Sequence, residues 1–205
     1  MTDIRPRLTA LGESLPSTVP FVGPETLERQ RGKPFAARIG ANESGFGPSP
    51  AVIAAMSDAA GDSWKYGDPE NHDLKTAIAA HLRVPFANVN VGGGIDGLLG
   101  LAVRLYVSPG DAVVSSLGGY PTFNYHVHGF GGRLVTVPYR DDHEDLEALL
   151  AATHREKPKL VYLANPDNPM GTWHAGAKVA EFARALPPQT MLILDEAYCE
   201  TAPSG

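Results

Sequence analysis

Apolar and polar positions fall into two kinds of block along this chain. Short runs rich in β-branched and aromatic residues, at 111–116, 133–138, 159–164 and 191–194, have the length of buried strands. A shorter one is expected at 89–91. Between them lie stretches whose apolar residues recur every three or four positions. Val52, Ile53 and Met56 share one face of a helix expected over 50–60, with Pro50 near its start. Leu74, Ile78 and Leu82 do the same over 71–82, and further helices are expected over 98–107, 145–152 and 174–186. Strands alternating with helices through short connections imply α/β layers and a largely parallel sheet. Residues 1–35 are rich in proline and arginine and lack sustained periodicity. They read as an extended arm with a short helix near 25–31, of the kind that packs on something else, here a partner subunit.

Two strand ends carry candidate chemistry. The run 160–164 stops at Asn165, and Pro166 and Pro169 then stiffen the exit, holding Asn165 and Asn168 outside a helix. That leaves an amide at a strand's carboxyl end, where open α/β sheets bind ligands. The run 191–194 ends in Asp195, which is costly to bury unless something cationic pairs with it. Taken singly, the first is also an ordinary Pro/Asn turn and the second a cap on a helix beginning at Glu196. A third feature is Gly92-Gly93-Gly94-Ile95-Asp96-Gly97, which opens a helix and aims unpaired N–H groups at an anion. It also satisfies Gly-x-Gly-x-x-Gly, the dinucleotide fingerprint, but the next strand ends in Ser115-Ser116 without the acid that would hold a ribose.

Composition narrows the field. With 205 residues and 43% apolar content, the chain can bury one sizeable core. A net charge of −6, with acids and bases interspersed, gives no footprint for nucleic acid or an anionic membrane. A single cysteine, Cys199, excludes an internal disulfide and suits a reducing cytoplasm; it reads as a small core thiol. No apolar run approaches the roughly 18 residues of a membrane span. His126 and His128 lie two apart, where one helix face cannot present both, and no His/Cys cluster has zinc spacing, so no metal site is expected.

Together the strand ends resemble those of the class I/II, fold-type-I aminotransferases that use pyridoxal 5′-phosphate (PLP), most nearly the histidinol-phosphate aminotransferase branch. Asn165-Pro166-Asp167-Asn168-Pro169-Met170-Gly171 is similar to that family's Asn-Pro-x-Asn-Pro-Thr-Gly loop, with Met170 for threonine, and Asp195-Glu196-Ala197-Tyr198 to its Asp-x-Ala-Tyr segment. Residues 39–48 and Tyr120-Pro121-Thr122-Phe123 resemble its substrate loop and its Pro-Thr-aromatic segment, though Ser44, Phe46 and Gly97 depart from the branch's pattern.

The resemblance implies a three-layer α/β/α large domain with a mostly parallel sheet over 39–205, after an arm at 1–38. It also implies a small domain and a Schiff-base lysine beyond Tyr198. Asp195 would pair with the pyridinium, Asn165 and Tyr198 would hold the ring's phenolic oxygen, and Phe123, or less directly Tyr120, would stack on the ring. Gly94, Ile95 and Asp96 would hold the phosphate, with Tyr66 reaching across a homodimer to the neighbouring cofactor's phosphate and Asn42 near the substrate. The implied reaction moves an amino group between an amino acid or amino phosphate ester and a 2-oxo acid. A same-fold PLP lyase or decarboxylase, an NAD-binding oxidoreductase using 92–97, and a non-catalytic fragment that only binds a partner stand as alternatives.

Overall fold

The computed structural model describes residues 7–16 and 22–202. They fall into two compact units, one within Met1–Pro20 and Gly92–Gly205 and the other within Phe21–Val91.

The first unit is built on four parallel strands, β1 (Ala112–Ser116), β2 (Arg133–Val137), β3 (Leu160–Ala164) and β4 (Met191–Asp195), in the order β2-β1-β3-β4. Every residue of the central strands β1 and β3 is buried. This is the physical reason β3 reads as a continuous apolar run rather than an alternating one, while β1 follows its apolar start with the buried Ser115 and Ser116. Strand pleating sends successive side chains to opposite faces. Val113, Leu160, Tyr162 and Ala164 pack with Leu99 and Val103 of α5 (Gly94–Tyr106) and with Phe123 and Val127 of α6 (Pro121–Gly129). Val114, Val161 and Leu163 face the other way, onto Leu149 and Ala152 of α7 (Leu146–Glu156) and Val179 and Phe182 of α8 (Gly176–Ala185). The outcome is a sheet between two helical layers, as expected, and the pairings among its four strands are all parallel.

Local chemistry sets several boundaries. Asp145 caps α7 by accepting from the Ala148 N–H at 3.0 Å, and the helix stops where Lys157 turns left-handed at φ 48°. Between α5 and α6 the His126 ring packs directly on Gly100, where a Cβ would lie 2.7 Å from its Cε1. Gly132, which leads into β2, is still more confined: its Cβ would meet Val107 Cγ1 and Val127 Cγ1 at 2.9 Å and the Val127 carbonyl oxygen at 3.2 Å. Gly132→Ala is therefore expected to cost about 1–3 kcal/mol of stability, as overpacking does. A urea titration that shows an unchanged midpoint would refute that packing.

The second unit contains three helices: α2 (Pro24–Arg31), α3 (Pro50–Ala59) and α4 (His72–Leu82). Arg38 ties its chain to α2 through Glu25 at 2.7 Å and through Glu28. The expected arm lies partly outside the described residues. Inside them α2 stands where a short helix was expected, near 25–31, and a further short helix, α1 (Ala10–Ser14), was not expected. The strand expected at 89–91 does not form. Phe86–Asn88 make a 3-10 turn, the Val89 N–H bonds back to the Phe86 carbonyl, and Val89 is buried without a ladder partner among the described residues.

Candidate functional site

The chain passes from β1 to β2 on one side and then returns to place β3 on the other side of β1. That reversal opens a crevice between the carboxyl ends of β1 and β3, the position at which open α/β sheets take ligands. Ile95 from α5, Tyr120 from the turn after β1, Pro166 and Asn168 after β3, and Asp195 and Tyr198 at and after the end of β4 line one small hollow there. A larger cleft between α7 and α8, lined by Leu150, Lys178 and Phe182, opens on the other face of the sheet and includes neither Asp195 nor Asn168.

Asp195 is 7% exposed and sits in register with Ala164, so it points to the α5/α6 side of the sheet. Its Oδ1 accepts from the Ala197 N–H at 3.0 Å and its Oδ2 from the Tyr162 hydroxyl at 2.7 Å. The capping role is thus real, although it serves a bend leading to a 3-10 turn (Cys199–Thr201) and not an α-helix. Among the described residues no lysine or arginine pairs with it. A buried carboxylate with two donors and no counter-charge is an electrostatic vacancy suited to a cation.

The loop after β3 contains cis bonds at Asn165-Pro166 and Asn168-Pro169. Its two asparagines have parted company. The Asn165 amide is spent on the backbone: Oδ1 accepts from the His174 N–H at 2.7 Å and Nδ2 donates to the His174 carbonyl at 3.1 Å. Asn165 therefore shapes the loop and does not line the hollow, contrary to the expectation from sequence. Asn168 lines it instead, its Nδ2 3.4 Å from the Tyr198 hydroxyl. Asp167 fastens the loop from within, accepting from the Tyr139 hydroxyl at 2.9 Å. Burial raises the Asp167 carboxyl and, with Asp167 and Glu144 nearby, the Tyr139 phenol.

Phe123 is a second correction. With Pro121 opening α6, Phe123 turns inward, fully buried and stacked on Tyr162 with centroids 4.5 Å apart and planes 16° from parallel. It cannot lie against anything in the hollow; Tyr120, two residues before it in the turn, does. The Tyr120 hydroxyl donates to Asp96 Oδ1 at 2.8 Å, and burial first, then Asp96, raises its phenol.

Helix α5 begins at Gly94, four residues ahead of expectation, and Gly94 itself takes φ +77°, a left-handed backbone that favours glycine. The Gly94 N–H already bonds to the Gly92 carbonyl at 2.9 Å. Those of Ile95 and Asp96 have no intrahelical acceptor by position, and Gly93 supplies no side-chain cap. An uncapped helix start beside the hollow favours an anion. No strand precedes these glycines, so the dinucleotide-binding context fails here.

Two features escaped the sequence. Glu144, in the loop before α7, is 1% exposed and reaches across the sheet ends, accepting from the Ser116 hydroxyl and from the Ala164 N–H at 2.8 Å. Burial pushes its carboxyl up to about 7, aided by the charges of Asp167 and Asp195 and opposed by those two hydrogen bonds. The other is Tyr162 beneath Asp195. Asn42 and Tyr66 belong to the second unit, where both are exposed, Tyr66 completely. Cys199 is exposed rather than in the core, and hydrogen bonding with Glu200 raises its thiol. Among the described residues no cluster could hold a metal, and no helix is long and apolar enough to cross a membrane.

The chain is 40% identical over 188 residues to a histidinol-phosphate aminotransferase of Anaeromyxobacter sp. (strain Fw109-5), covering 91% of this chain and 51% of that protein. It is 36% identical over 165 residues to an aromatic amino acid aminotransferase of Thermobifida fusca, covering 80% and 46%. The crystal structure of histidinol-phosphate aminotransferase from Sinorhizobium meliloti in complex with pyridoxal-5'-phosphate superposes with a TM-score of 0.92 at 68% identity, over 96% of this chain and 52% of that one. The chain thus spans about half the length of the relatives it matches. Residues 37–205 match the family profile for aminotransferase class I and II, and the chain belongs to that family.

Proposed function

We propose that this chain is the PLP-binding large-domain portion, over 39–205 and after an arm at 1–38, of an aminotransferase. The overall reaction would move an amino group between an amino acid or amino phosphate ester and a 2-oxo acid in amino acid biosynthesis. The observation that carries the reading is Asp195, a buried carboxylate with donors but no cation, opening on a hollow beside an uncapped helix start. A protonated pyridine carrying a phosphate has the two charges this arrangement lacks. Bound there, PLP supplies an electron sink for the charge that develops when an amino acid's α-proton leaves.

The chain's own residues would do the rest. Asp195 holds the ring nitrogen's proton in place by keeping a negative charge against it. Asn168 and Tyr198 donate to the phenolic oxygen, replacing Asn165 in that role. Tyr120 covers one face of the ring, a contact on the order of 1 kcal/mol. The Ile95 and Asp96 N–H groups receive the phosphate; the Asp96 carboxylate, turned to Tyr120, contributes through its backbone. Gly94 shapes the turn. The exposure of Tyr66 suits a side chain that reaches a partner subunit's phosphate in a homodimer, and Asn42 would approach the substrate. The single free thiol and the biosynthetic relatives favour the cytoplasm.

Absorbance titration with PLP tests the site. Asn168→Ala is expected to weaken PLP about tenfold, the loss of one charge-assisted hydrogen bond. Asn165→Ala should instead lower stability by about 1–3 kcal/mol, since it strands two backbone groups of His174. If Asn165→Ala weakens PLP and Asn168→Ala does not, the assignment is reversed. For the reaction, the readout is consumption of histidinol phosphate or an aromatic amino acid that depends on an added 2-oxo acid. Consumption without the 2-oxo acid would point to elimination or decarboxylation.

A further inference from the structure

Beneath the hollow lies a phenol for which the proposed reaction has no direct use. Tyr162 sits in the middle of β3, fully buried, with its ring against Phe123 and its hydroxyl 2.7 Å from Asp195 Oδ2. Asp195 stands two residues beyond Ile193, the register partner of Tyr162, so the phenol and the carboxylate share one face of adjacent parallel strands. We propose that Tyr162 is a positioning residue: from below the site, its O–H fixes the orientation of the carboxylate that meets the cofactor's ring nitrogen. This rests on the reading of the hollow as a PLP site and deepens it.

Three observations support the assignment. A carboxylate at a strand end has free rotation about χ2 unless both oxygens are engaged. Here Ala197 N–H holds Oδ1 and the phenol holds Oδ2, which leaves the outward lone pairs for a ring N–H. The donor itself is rigid, because the near-parallel stack on Phe123 fixes the ring plane from which the O–H projects. Finally, the carboxylate has acidic neighbours. Glu144 and Asp167 both feel burial, Glu144 also feels the charge of Asp195, and no basic side chain offsets the three among the described residues. Burial and the Asp195 carboxylate hold the phenol far above its ordinary value, so it stays a donor wherever the protein is folded.

The test is a double-mutant cycle on PLP affinity, read by absorbance titration with PLP as the probe. Tyr162→Phe keeps the stacked ring and removes only the hydroxyl. It is expected to raise the PLP dissociation constant about tenfold, the scale of one hydrogen bond to a charged group. In an Asp195→Asn background, where residue 195 has no carboxylate to orient, the same change should alter affinity less than about twofold. A purely structural hydroxyl would weaken PLP equally in both backgrounds, and that result overturns the proposal, as does no loss in the parent. Phe123→Leu, which leaves the hydroxyl but removes its backing ring, should weaken PLP by about threefold; an unchanged affinity there also counts against the inference. If Asp195→Asn itself leaves PLP binding untouched, the site reading fails. If Asp195→Asn weakens binding and Tyr162→Phe does not, only the role of Tyr162 falls.

Discussion

Asp195→Asn is expected to weaken PLP binding by roughly a hundredfold or more, within the 2–5 kcal/mol lost when one partner of a buried charge pair is removed. Asparagine keeps the shape of the site. Its Oδ1 accepts from Ala197 N–H, and its Nδ2 donates to a Tyr162 hydroxyl that has turned to accept. What disappears is the charge. Because the protein itself gives this buried carboxyl no basic side-chain partner, its own stability should hardly fall, and relief of repulsion with Glu144 favours the variant. A large loss of affinity with little loss of stability is the signature of a residue kept for its ligand. Equal losses in both, from PLP titration and urea denaturation of the same preparations, would make Asp195 a structural acid and leave the hollow without a cation partner.

The sequence exposed the strand ends and hid their division of labour. Asp195 stood out because an acid closing a four-residue apolar run is costly to bury, beyond the local cap it also makes to Ala197 N–H, and the run itself marked β4. The prolines marked the exit of β3 for a similar reason. What separates Asn165 from Asn168 is His174, whose backbone takes up the amide of the first; nothing in two Asn-Pro pairs foretells that. Phe123 and Tyr120 also look alike on paper. A helix starting at Pro121 turns one into the core and leaves the other at the turn, a matter of a hundred-degree step per residue rather than of residue type. Glu144 was invisible: Asp141-Asp142-His143-Glu144-Asp145 reads as a solvated acidic loop. Its burial comes from Ser116 and the Ala164 N–H, 28 and 20 residues distant in sequence. The strand expected at 89–91 shows the reverse error, since apolar content predicts burial and only a partner makes a ladder.

Glu144→Gln is expected to reverse the protein's response to pH at this position. In the folded chain the carboxyl titrates near 7, against an ordinary value of 4.5, so between those values the folded state holds a proton that the unfolded state has released. Stability then falls as pH rises through that window. The Glu144 contribution is complete below about 4.5 and lost above about 7, a change of about 3 kcal/mol at 1.36 kcal/mol per unit. Glutamine carries no proton to lose. It can accept from Ala164 N–H through Oε1 and donate to Ser116 Oγ through Nε2, so both tethers survive. Parent and variant should therefore have similar stability near pH 4.5, and the variant should be the more stable by about 3 kcal/mol near pH 8. Subtracting one urea-denaturation series from the other cancels every other titrating group, Asp167 included, provided its environment is shared. A difference that does not vary with pH would mean the carboxyl titrates normally in the fold. A difference that grows toward acid would mean that Glu144 is held ionised, with the hydrogen bonds from Ser116 and Ala164 outweighing burial and the neighbouring charges of Asp167 and Asp195.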